Sequence, residues 1–552
     1  MNEQDIAQST KQLIDALKQS CGAVGLGNDG NEYKIIVQVF LYKYFNDKFG
    51  YAAKRNPKYG ARFSAASTWD IAYDGFSEDE IEDLFAYLPA STPRLKPHQT
   101  VAHLFNAMNQ PDFAALFDAT LKEIAFLNAD IFSIATDERT RISVFDPALI
   151  ANTVNDPAKR DDFARSLMRR IADPKANFEP VFAQKYDFFA TMFEYLIKDY
   201  NKDGGGKYAE YYTPRSIAEI MARLLVGFDK DLRGISCYDP SAGSGTLLMA
   251  LAHAVGEDRC TIYSQDVSQK SSQMLRLNLI LNNLSHSIRN VVQGNTLLHP
   301  GHLGTDGTPR TFDRVISNPP FKLDFPDERE AVEKTGRFWA GVPNAPKEIN
   351  PDKPKMEIFL CFIQHLLNSL SENGKGAIVV PTGFITAKSG IKQRILQHVV
   401  DRHIVYGCVS MPSNVFATTG TNVSVLFFDN SRKVDKVVLV DASKLGEEYK
   451  DGNNTRKRLR DFEIEQIVST FLERKAVDVF SVVVTHDEIK AKGYSLSAGQ
   501  YFDIKIEHVD ITEEEFQARL ADAQKNLADL NARGAALDAE IAAQLAKLRF
   551  VP

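Results

Sequence analysis

The chain has 552 residues, of which 44% are hydrophobic and 25% charged, and it is too long for a single hydrophobic core. Its formal net charge of -7 excludes a global basic field, so any contact with nucleic acid must be local or shared with a partner. Its cysteines are scattered without a C-x-x-C pair, which argues against structural zinc and a disulfide framework and favours a reducing cytoplasm.

Residues 1–170 are predicted to form a helical N-terminal domain. Residues 31–49 and 113–127 carry apolar side chains at helical spacing, and their aromatic residues are expected in its core. A further helix is predicted over residues 186–200, and the glycine-rich segment 201–207 marks a domain seam. The N-terminus lacks a charged-then-apolar leader, and no segment reaches the roughly 18 apolar residues of a membrane span, so no membrane contact is expected.

The second predicted domain, residues 171–445, alternates short apolar strands with amphipathic helices. This pattern indicates a doubly wound α/β fold. The candidate strands are residues 235–238, 261–265, 290–293, 314–317, 377–380, 405–409 and 423–428. The loop between the last two strands has no room for a helix, so they are expected to pair antiparallel at one edge of the sheet.

Residues 446–552 are predicted to be a mixed, charged segment that ends in a long helix. Thr512 and Glu515 have the spacing of a capping box at its start. Apolar side chains then follow at nearly heptad spacing: Phe516, Leu520, Ala523, Leu527, Leu530, Leu537, Ile541, Leu545 and Leu548. The opposite face is polar, which favours a coiled coil or a partner helix, and packing on its own domain is the alternative.

The motif Asn318-Pro319-Pro320-Phe321 lies where the strand predicted over residues 314–317 ends and a loop begins. Its prolines fix φ and remove two backbone donors, which leaves the Asn318 side chain and the Pro319 carbonyl as rigidly held acceptors. With the ring of Phe321 beside them, these acceptors suit an aromatic amine whose base stacks on the ring. An ordinary strand-ending turn is the alternative, because Asn-Pro is a common turn dipeptide.

A glycine-rich turn, residues 239–246, directly follows the first predicted strand and opens a helix. Its glycines allow backbone N–H groups to approach a ligand at the helix N-terminus. Asp266 ends the second strand, where an acid can accept both hydroxyls of a ribose, and Asn295 follows the third, where its amide can recognise an adenine edge. With Asn318 after the fourth strand, these residues are expected to meet at one rim, because ligands of open α/β sheets bind outside the carboxyl ends of strands.

These two motifs, DPSAGSGTLL and NPPF, resemble those of DNA adenine methyltransferases that depend on S-adenosyl-L-methionine (AdoMet). The chain is similar in particular to the modification (M) subunits of type I restriction-modification systems. That narrower resemblance rests on Tyr211-Tyr212-Thr213-Pro214 and on the segments SQDVSQKSSQMLRLNLILN and SMPSNVFATTGTNVSVLFF, and it covers most of residues 180–430. Departures are Asp266 where such subunits often carry Glu, Asn295 where Asp is frequent, and Ser241 where Ala or Thr is common.

The resemblance implies a Rossmann-like, doubly wound α/β sheet with an antiparallel last strand, and transfer of the AdoMet methyl group to N6 of a flipped-out adenine in duplex DNA. The implied catalytic residues are Asn318, Pro319, Pro320 and Phe321. The implied cofactor-binding residues are Glu210, Tyr211, Tyr212, Thr213, Pro214, Arg215, Asp239, Ser241, Ala242, Gly243, Gly245, Asp266 and Asn295. No metal is expected, and Thr213 and Arg215 are suited to the carboxylate end of the cofactor.

The resemblance also implies partners: double-stranded DNA, a specificity (S) subunit that serves two M subunits, and a restriction (R) subunit. Only a charged segment and a helix follow the last predicted strand, which leaves no sizeable region in this chain for recognising a DNA sequence. Sequence recognition is therefore expected from the S subunit, docked partly through residues 516–548.

Other functions remain open at the level of sequence. Cytosine N4 methylation uses the same amine chemistry, whereas C5 methylation needs a thiolate, usually after proline, and no cysteine of this chain follows a proline. Asn-Pro-Pro-aromatic motifs also serve methylation of RNA bases and of protein glutamine. A non-enzymatic alternative is a scaffold that clamps DNA for a partner.

Overall fold

The computed structural model describes residues 3–27, 30–135, 141–183, 213–229, 231–350, 353–416, 422–432, 435–451, 454–502 and 511–546. The helix predicted over residues 186–200 and the seam at 201–207 lie outside this set. Within it, no helix combines the length and the apolar character that crossing a membrane requires.

Helices dominate the first part of the chain. They are α1 (Glu3–Ala23), α2 (Gly30–Lys54), α3 (Gly60–Ala65), α4 (Trp69–Asp74), α5 (Glu78–Tyr87), α6 (Val101–Ala107), α7 (Phe113–Leu127), α8 (Ala129–Phe132), α9 (Leu149–Thr153), α10 (Pro157–Ile171) and α11 (Glu179–Ala183), with a short antiparallel pair, β1 (Ile134–Ala135) and β2 (Arg141–Ile142). Apolar residues recur at helical spacing in α7, whereas every residue of α2 from Val39 to Asp47 is buried, so α2 is enclosed on all its faces. Phe45, Phe49, Phe113 and Phe117 are buried, and the predicted helices and aromatic core are confirmed.

The α/β part is built on a sheet of nine strands among the described residues. The strands of this part are β3 (Ile235–Asp239), β4 (Cys260–Asp266), β5 (Val291–Gln293), β6 (Phe312–Ser317), β7 (Leu370–Pro381), β8 (Val405–Ser410), β9 (Val423–Asp429), β10 (Lys436–Asp441), a separate hairpin of β11 (Glu447–Asp451) and β12 (Asn454–Arg458), and β13 (Ser481–Thr485). The order in the sheet is β13-β10-β8-β9-β7-β6-β3-β4-β5. The chain runs outward from β3 to β5 and then returns to β6 on the other side of β3, so the strand order reverses between β3 and β6.

Helices cover this sheet. They are α12 (Arg215–Val226), α13 (Thr246–Val255), α14 (Gln269–Leu281), α15 (Pro326–Lys334), α16 (Phe359–Asn368), α17 (Gly390–Asp401), α18 (Asp461–Leu472) and α19 (His486–Ala491). The strands β3, β4, β5, β6 and β7 pair in parallel, and β9 is buried at every position. Burial on both faces is the property expected of a doubly wound sheet, so the predicted α/β class is confirmed.

The strands β8 and β9 form the predicted antiparallel pair, but they do not lie at the edge of the sheet. Parallel pairing of β10 with β8 and antiparallel pairing of β13 with β10 extend the sheet beyond them. The edge prediction was wrong because residues 436–441 and 481–485 are short apolar runs inside charged surroundings, and only pairing with an existing strand makes them part of the sheet.

Residues 1–501 form one compact unit and residues 502–552 another. The boundaries predicted after residues 170 and 445 both lie within the first unit and stay predictions. Within that unit α18 packs on the sheet through Phe471, whose ring lies 5.0 Å from that of Phe427. A β-carbon at Gly407 would lie 2.1 Å from the Phe471 ring, so this approach of helix to strand requires glycine.

The second unit contains the predicted C-terminal helix, α20 (Glu513–Leu545). The predicted capping box is present: Thr512 Oγ1 accepts from the Glu515 N–H at 3.2 Å, and the Glu515 carboxylate accepts from the Thr512 N–H at 3.3 Å. The large apolar side chains of the predicted stripe, from Phe516 to Leu545, are between 41% and 61% exposed. Leu548 lies outside the described residues.

Candidate active site

A cavity of about 810 Å³ lies at the carboxyl ends of the neighbouring strands β6, β3, β4 and β5. Asn318, Asp239, Asp266 and Asn295, which end or follow these strands, all line it. The volume is in the range of cofactor and small-molecule pockets. The structure therefore brings residues from several strand ends together where the strand order reverses, the usual place for a ligand in an open α/β sheet.

Most of the predicted site residues contact this cavity. Those that line it are Thr213, Asp239, Ser241, Ala242, Gly243, Asp266, Asn295, Asn318, Pro319, Pro320 and Phe321. Pro214, Arg215 and Gly245 are absent from the lining, and Arg215 is exposed at the start of α12, so its placement gives no support to the predicted contact with the carboxylate end of a cofactor. Glu210, Tyr211 and Tyr212 lie outside the described residues.

Hydrogen bonds from its neighbours hold the turn after β3. The Ser241 N–H donates to Asp239 Oδ1 at 2.9 Å, and the hydroxyls of Ser241 and Ser317 are 2.7 Å apart, which joins the ends of β3 and β6. The Gly243 N–H donates to Asp266 Oδ2 at 2.8 Å, which joins the turn to the end of β4. These bonds give the turn a single geometry before any ligand binds.

Gly245 shapes the turn without contacting the cavity. Its φ of +88° lies in the left-handed region, and it precedes the first residue of α13. A β-carbon there would lie 2.1 Å from Cδ1 of Leu275 on α14. The second glycine of the motif is thus required by backbone conformation and by helix packing.

Asp266 is a half-buried carboxylate that faces the cavity. Its Oδ1 accepts from the Ser268 N–H and its Oδ2 from the Gly243 N–H, both at 2.8 Å. Burial raises the pKa of Asp266 above its ordinary value, and these two hydrogen bonds act in the opposite direction. Each carboxylate oxygen can accept a further hydrogen bond, so the group can still bind two hydroxyls of a ligand.

The amide of Asn318 is oriented by Thr213. Its Nδ2–H donates to Thr213 Oγ1 at 3.0 Å, and Thr213 is itself buried. With the nitrogen held in this way, the Oδ1 acceptor of Asn318 is the part of the amide left to face the cavity. Thr213, predicted to bind a cofactor, lines the cavity and is in the structure a hydrogen-bond partner of Asn318.

The ring of Phe321 is set by a chain of edge-to-face aromatic contacts. Its centroid lies 6.3 Å from that of Phe359, which lies 5.8 Å from that of Phe384. Phe359 and Phe384 are buried, whereas Phe321 is only half-buried and lines the cavity. The arrangement fixes an aromatic face beside Asn318.

Several residues of the cavity were missed by sequence reasoning. They are Leu247, Val267, Phe325, Glu328, Glu357, Phe359, Phe384, Lys392 and Phe416. Val267 could have been found from sequence, since it is an apolar residue directly after the strand-ending Asp266. In the structure it is 68% exposed. Glu357 and Lys392 form an ion pair of 2.8 Å from separate elements, and no local pattern signals that pairing.

Asp239 is fully buried, and burial, as the largest cause, raises the pKa of its carboxyl from 3.8 to about 7. The folded protein therefore binds this proton more tightly than the unfolded chain does. The resulting stabilisation is complete below about pH 4 and is lost as the pH rises through 7, with a slope of up to about 1.4 kcal/mol per pH unit. We expect Asp239→Asn, which cannot titrate, to lack this contribution.

Calorimetric unfolding of wild type and Asp239→Asn between pH 4.5 and 8 checks this expectation through the difference between their melting temperatures. The variant should gain stability relative to wild type as the pH rises to about 7, and the difference should then stay constant. A difference that is independent of pH would contradict the raised pKa of Asp239.

The described residues contain no cluster of three or more His, Cys, Asp or Glu side chains arranged to hold a metal ion. The cysteines are buried and free of disulfides. The functional groups of the cavity include carboxylates, amides, hydroxyls, backbone N–H groups, aromatic rings and the side chains of Lys322 and Lys392.

A doubly wound sheet with a glycine turn after its first strand, an acid after its second and an Asn-Pro-Pro-Phe motif after its fourth has the features expected of an AdoMet-dependent methyltransferase. Within that class, the sequence model of the family described as N-6 DNA Methylase matches residues 184–510, which is more than half of the chain. The chain belongs to this N-6 DNA methylase family.

Individual relatives agree with the family. Over 333 residues the chain is 28% identical to the type I restriction enzyme MpnII methylase subunit of Mycoplasma pneumoniae, an alignment that covers 59% of each protein. It is 23% identical over 413 residues to the type I restriction enzyme HindI methylase subunit of Haemophilus influenzae, covering 71% of this chain and 86% of that one. The solved type I restriction-modification methyltransferase subunit of Streptococcus thermophilus shares the fold, with a TM-score of 0.68 at 20% identity over 91% of this chain and 100% of that one.

Proposed function

We propose that this chain transfers the methyl group of AdoMet to N6 of an adenine flipped out of duplex DNA, as the modification subunit of a type I restriction-modification complex. The observation that carries the proposal is that Asn318 and Asp266 face one cavity, from strand ends on the two sides of β3. Family membership and the similarity to type I methylase subunits support the same reaction.

The residues near β3 and β4 fit AdoMet. Asp266 has an acceptor for each ribose hydroxyl, Gly243 lines the cavity without a side chain, and Val267 offers an apolar surface to a purine. The cavity of about 810 Å³ has space for this cofactor together with part of a second ligand. Bound AdoMet would supply an electrophilic methyl group on a sulfonium sulfur.

The residues after β6 fit the amine that accepts the methyl group. The lone pair of an adenine amine is delocalised into its ring, so the amine is a poor nucleophile. Hydrogen bonds from its two N–H groups to Asn318 Oδ1 and to the Pro319 carbonyl favour a pyramidal nitrogen whose lone pair is localised. Positioning and electrostatics then supply most of the rate, and the leaving proton passes to water.

A base must leave the duplex to reach this cavity. Extrusion costs a few kcal/mol, and stacking of the extruded base on the ring of Phe321 contributes about 1–3 kcal/mol in return. Phe359 holds that ring in place before the base arrives. The aromatic contact therefore offsets much of the cost of flipping.

Replacing Thr213 with valine should lower methyl transfer about tenfold, because the Asn318 amide loses the partner that orients its oxygen. Affinity for AdoMet should stay close to that of the wild type, and Thr213→Ser should restore the rate because it keeps the hydroxyl. Single-turnover transfer and equilibrium binding of AdoMet measure the two quantities separately. A loss of AdoMet affinity with normal single-turnover transfer would instead assign Thr213 to the cofactor.

We propose that α20 docks on a specificity subunit that recognises the DNA sequence, with two copies of this chain per specificity subunit and a restriction subunit for cleavage. The apolar stripe of α20 is exposed and its other face is polar, which suits pairing with helices of another chain. A chain in a solved structure that describes complex assembly of the type I restriction-modification system shares the fold of this chain, with a TM-score of 0.50 at 15% identity.

Leu527→Asp places a charge in this stripe and should weaken association with the specificity subunit about tenfold or more, because a charge would be buried in an apolar seam. Lys525→Asp, on the opposite face, is the matched control and should bind normally. Co-purification and analytical ultracentrifugation of the complex measure the effect and its stoichiometry. Equal binding by both variants would show that the stripe is not the docking surface.

The proposed reaction is tested by incubating the complex of this chain and its specificity subunit with methyl-labelled AdoMet and with DNA, RNA and protein. Label should enter DNA, and nucleoside analysis should recover it as N6-methyladenine. Label recovered as N4-methylcytosine, or in RNA or protein, would replace the substrate. Absence of AdoMet binding by the complex would support a scaffold without chemistry.

A further inference from the structure

Glu328, in the first turn of α15, lines the cavity and contacts Asn295, the residue that follows β5. Its Oε2 accepts a hydrogen bond of 2.9 Å from Asn295 Nδ2. Among the described residues this is its one hydrogen bond, so Oε1 has capacity for a ligand. An acid in the first turn of a helix is stabilised by the helix dipole whichever way its side chain points, so its position in α15 does not by itself indicate a ligand.

The side chain of Asn295 is held by its own loop. Its Oδ1 accepts from the Leu297 N–H at 3.0 Å, so the amide nitrogen is the end that turns toward Glu328. Thr296 Oγ1 donates to the Pro240 carbonyl at 2.8 Å and ties the same loop to the turn after β3. Asn295 is therefore fixed by its own loop, and the exposed side chain of Glu328 is held to it by one hydrogen bond, which leaves one carboxylate oxygen and one amide N–H for a ligand.

The strands that Asn295 and Asn318 follow indicate which of the two proposed ligands, the AdoMet adenine or the target adenine, lies near the Asn295–Glu328 pair. Asn295 follows β5 and Asn318 follows β6, and three strand spacings, about 14 Å, separate β5 from β6. The pair therefore lies toward the β4 and β5 end of the cavity, away from Asn318. Asp266 and Val267, at the end of the adjacent strand β4, lie between the two and suit a ribose and the face of a purine.

A carboxylate oxygen beside an amide N–H matches one edge of adenine, where the exocyclic amine donates and ring N1 accepts. We propose that Glu328 accepts from the amine of the AdoMet adenine and that Asn295 both donates to N1 and positions Glu328. This inference rests on the proposed function. To Asn295, whose amide was expected from sequence to recognise an adenine edge, it adds an acid supplied by α15.

The experiment compares binding of S-adenosylhomocysteine and S-inosylhomocysteine by calorimetry, using the full chain. The inosyl compound has a carbonyl oxygen and an N1–H in place of the amine and N1, so its donor and acceptor are exchanged. Wild type should prefer the adenosyl compound about tenfold or more. Glu328→Gln and Glu328→Ala should reduce that preference to about twofold or less, because neither carries the charged acceptor. Asp327→Asn, the neighbouring acid outside the cavity, should keep it.

A role for Glu328 in loop structure alone would weaken both compounds equally and leave the ratio at the wild-type value, which would overturn the inference. Equal affinity of the wild type for the two compounds would overturn it as well. Failure of the wild type to bind either compound is a distinct result, since it would reject the proposed function together with this inference. Melting temperatures of the variants confirm that they are folded.

Discussion

Asn318→Ala should lower methyl transfer by about 10²- to 10³-fold while leaving affinity for AdoMet within about twofold of wild type. The substitution removes the Oδ1 acceptor that the structure orients through Thr213. An interaction made mainly as the amine becomes pyramidal affects the chemical step more than ground-state binding. Single-turnover transfer to DNA and calorimetric binding of AdoMet measure the two effects.

Two further variants make this result specific. Asn344→Ala removes an exposed asparagine outside the cavity and should have no effect. Asn318→Asp keeps an acceptor but loses the N–H that donates to Thr213, so its activity should lie between those of Ala and wild type. Transfer by Asn318→Ala at the wild-type rate would refute the role assigned to this residue.

The second large effect is expected on the affinity for the cofactor. Asp266→Ala should weaken binding of AdoMet about 100-fold or more, because two hydrogen bonds from hydroxyls to a carboxylate are lost at once. The substitution also removes the acceptor of the Gly243 N–H, which holds the glycine turn. Isothermal titration with AdoMet and with S-adenosylhomocysteine measures the loss.

Loss of the turn and loss of the ribose contact are separated by Asp266→Asn, which keeps one carbonyl oxygen and nearly the same volume. Because it keeps an acceptor for one of the two backbone N–H groups, those of Ser268 and Gly243, it should melt closer to wild type than Asp266→Ala does and bind AdoMet about tenfold more weakly than wild type. Asp258→Ala, an exposed acid just before β4, is the control at the other end of that strand. Wild-type affinity in Asp266→Asn would exclude the carboxylate as the ribose partner.

Some elements of the fold could be predicted from short stretches of sequence. Helical periodicity located α2 and α7, and the capping residues Thr512 and Glu515 located the start of α20. Each of these features depends on side chains within a few residues of one another, so a short window contains the whole cause. The strands β10 and β13 have no such local cause, and the predicted edge of the sheet was wrong for that reason.

The candidate site divides in the same way. Its glycine turn, strand-ending acid and Asn-Pro-Pro-Phe motif were identified from sequence because backbone conformation and chemistry there are properties of adjacent residues. Tertiary structure alone decided that Thr213 holds Asn318 across 105 positions of sequence and that Asn295 holds Glu328 across 33. A hydrogen bond depends on distances of about 3 Å in space, and separation along the chain does not determine those distances until the chain has folded.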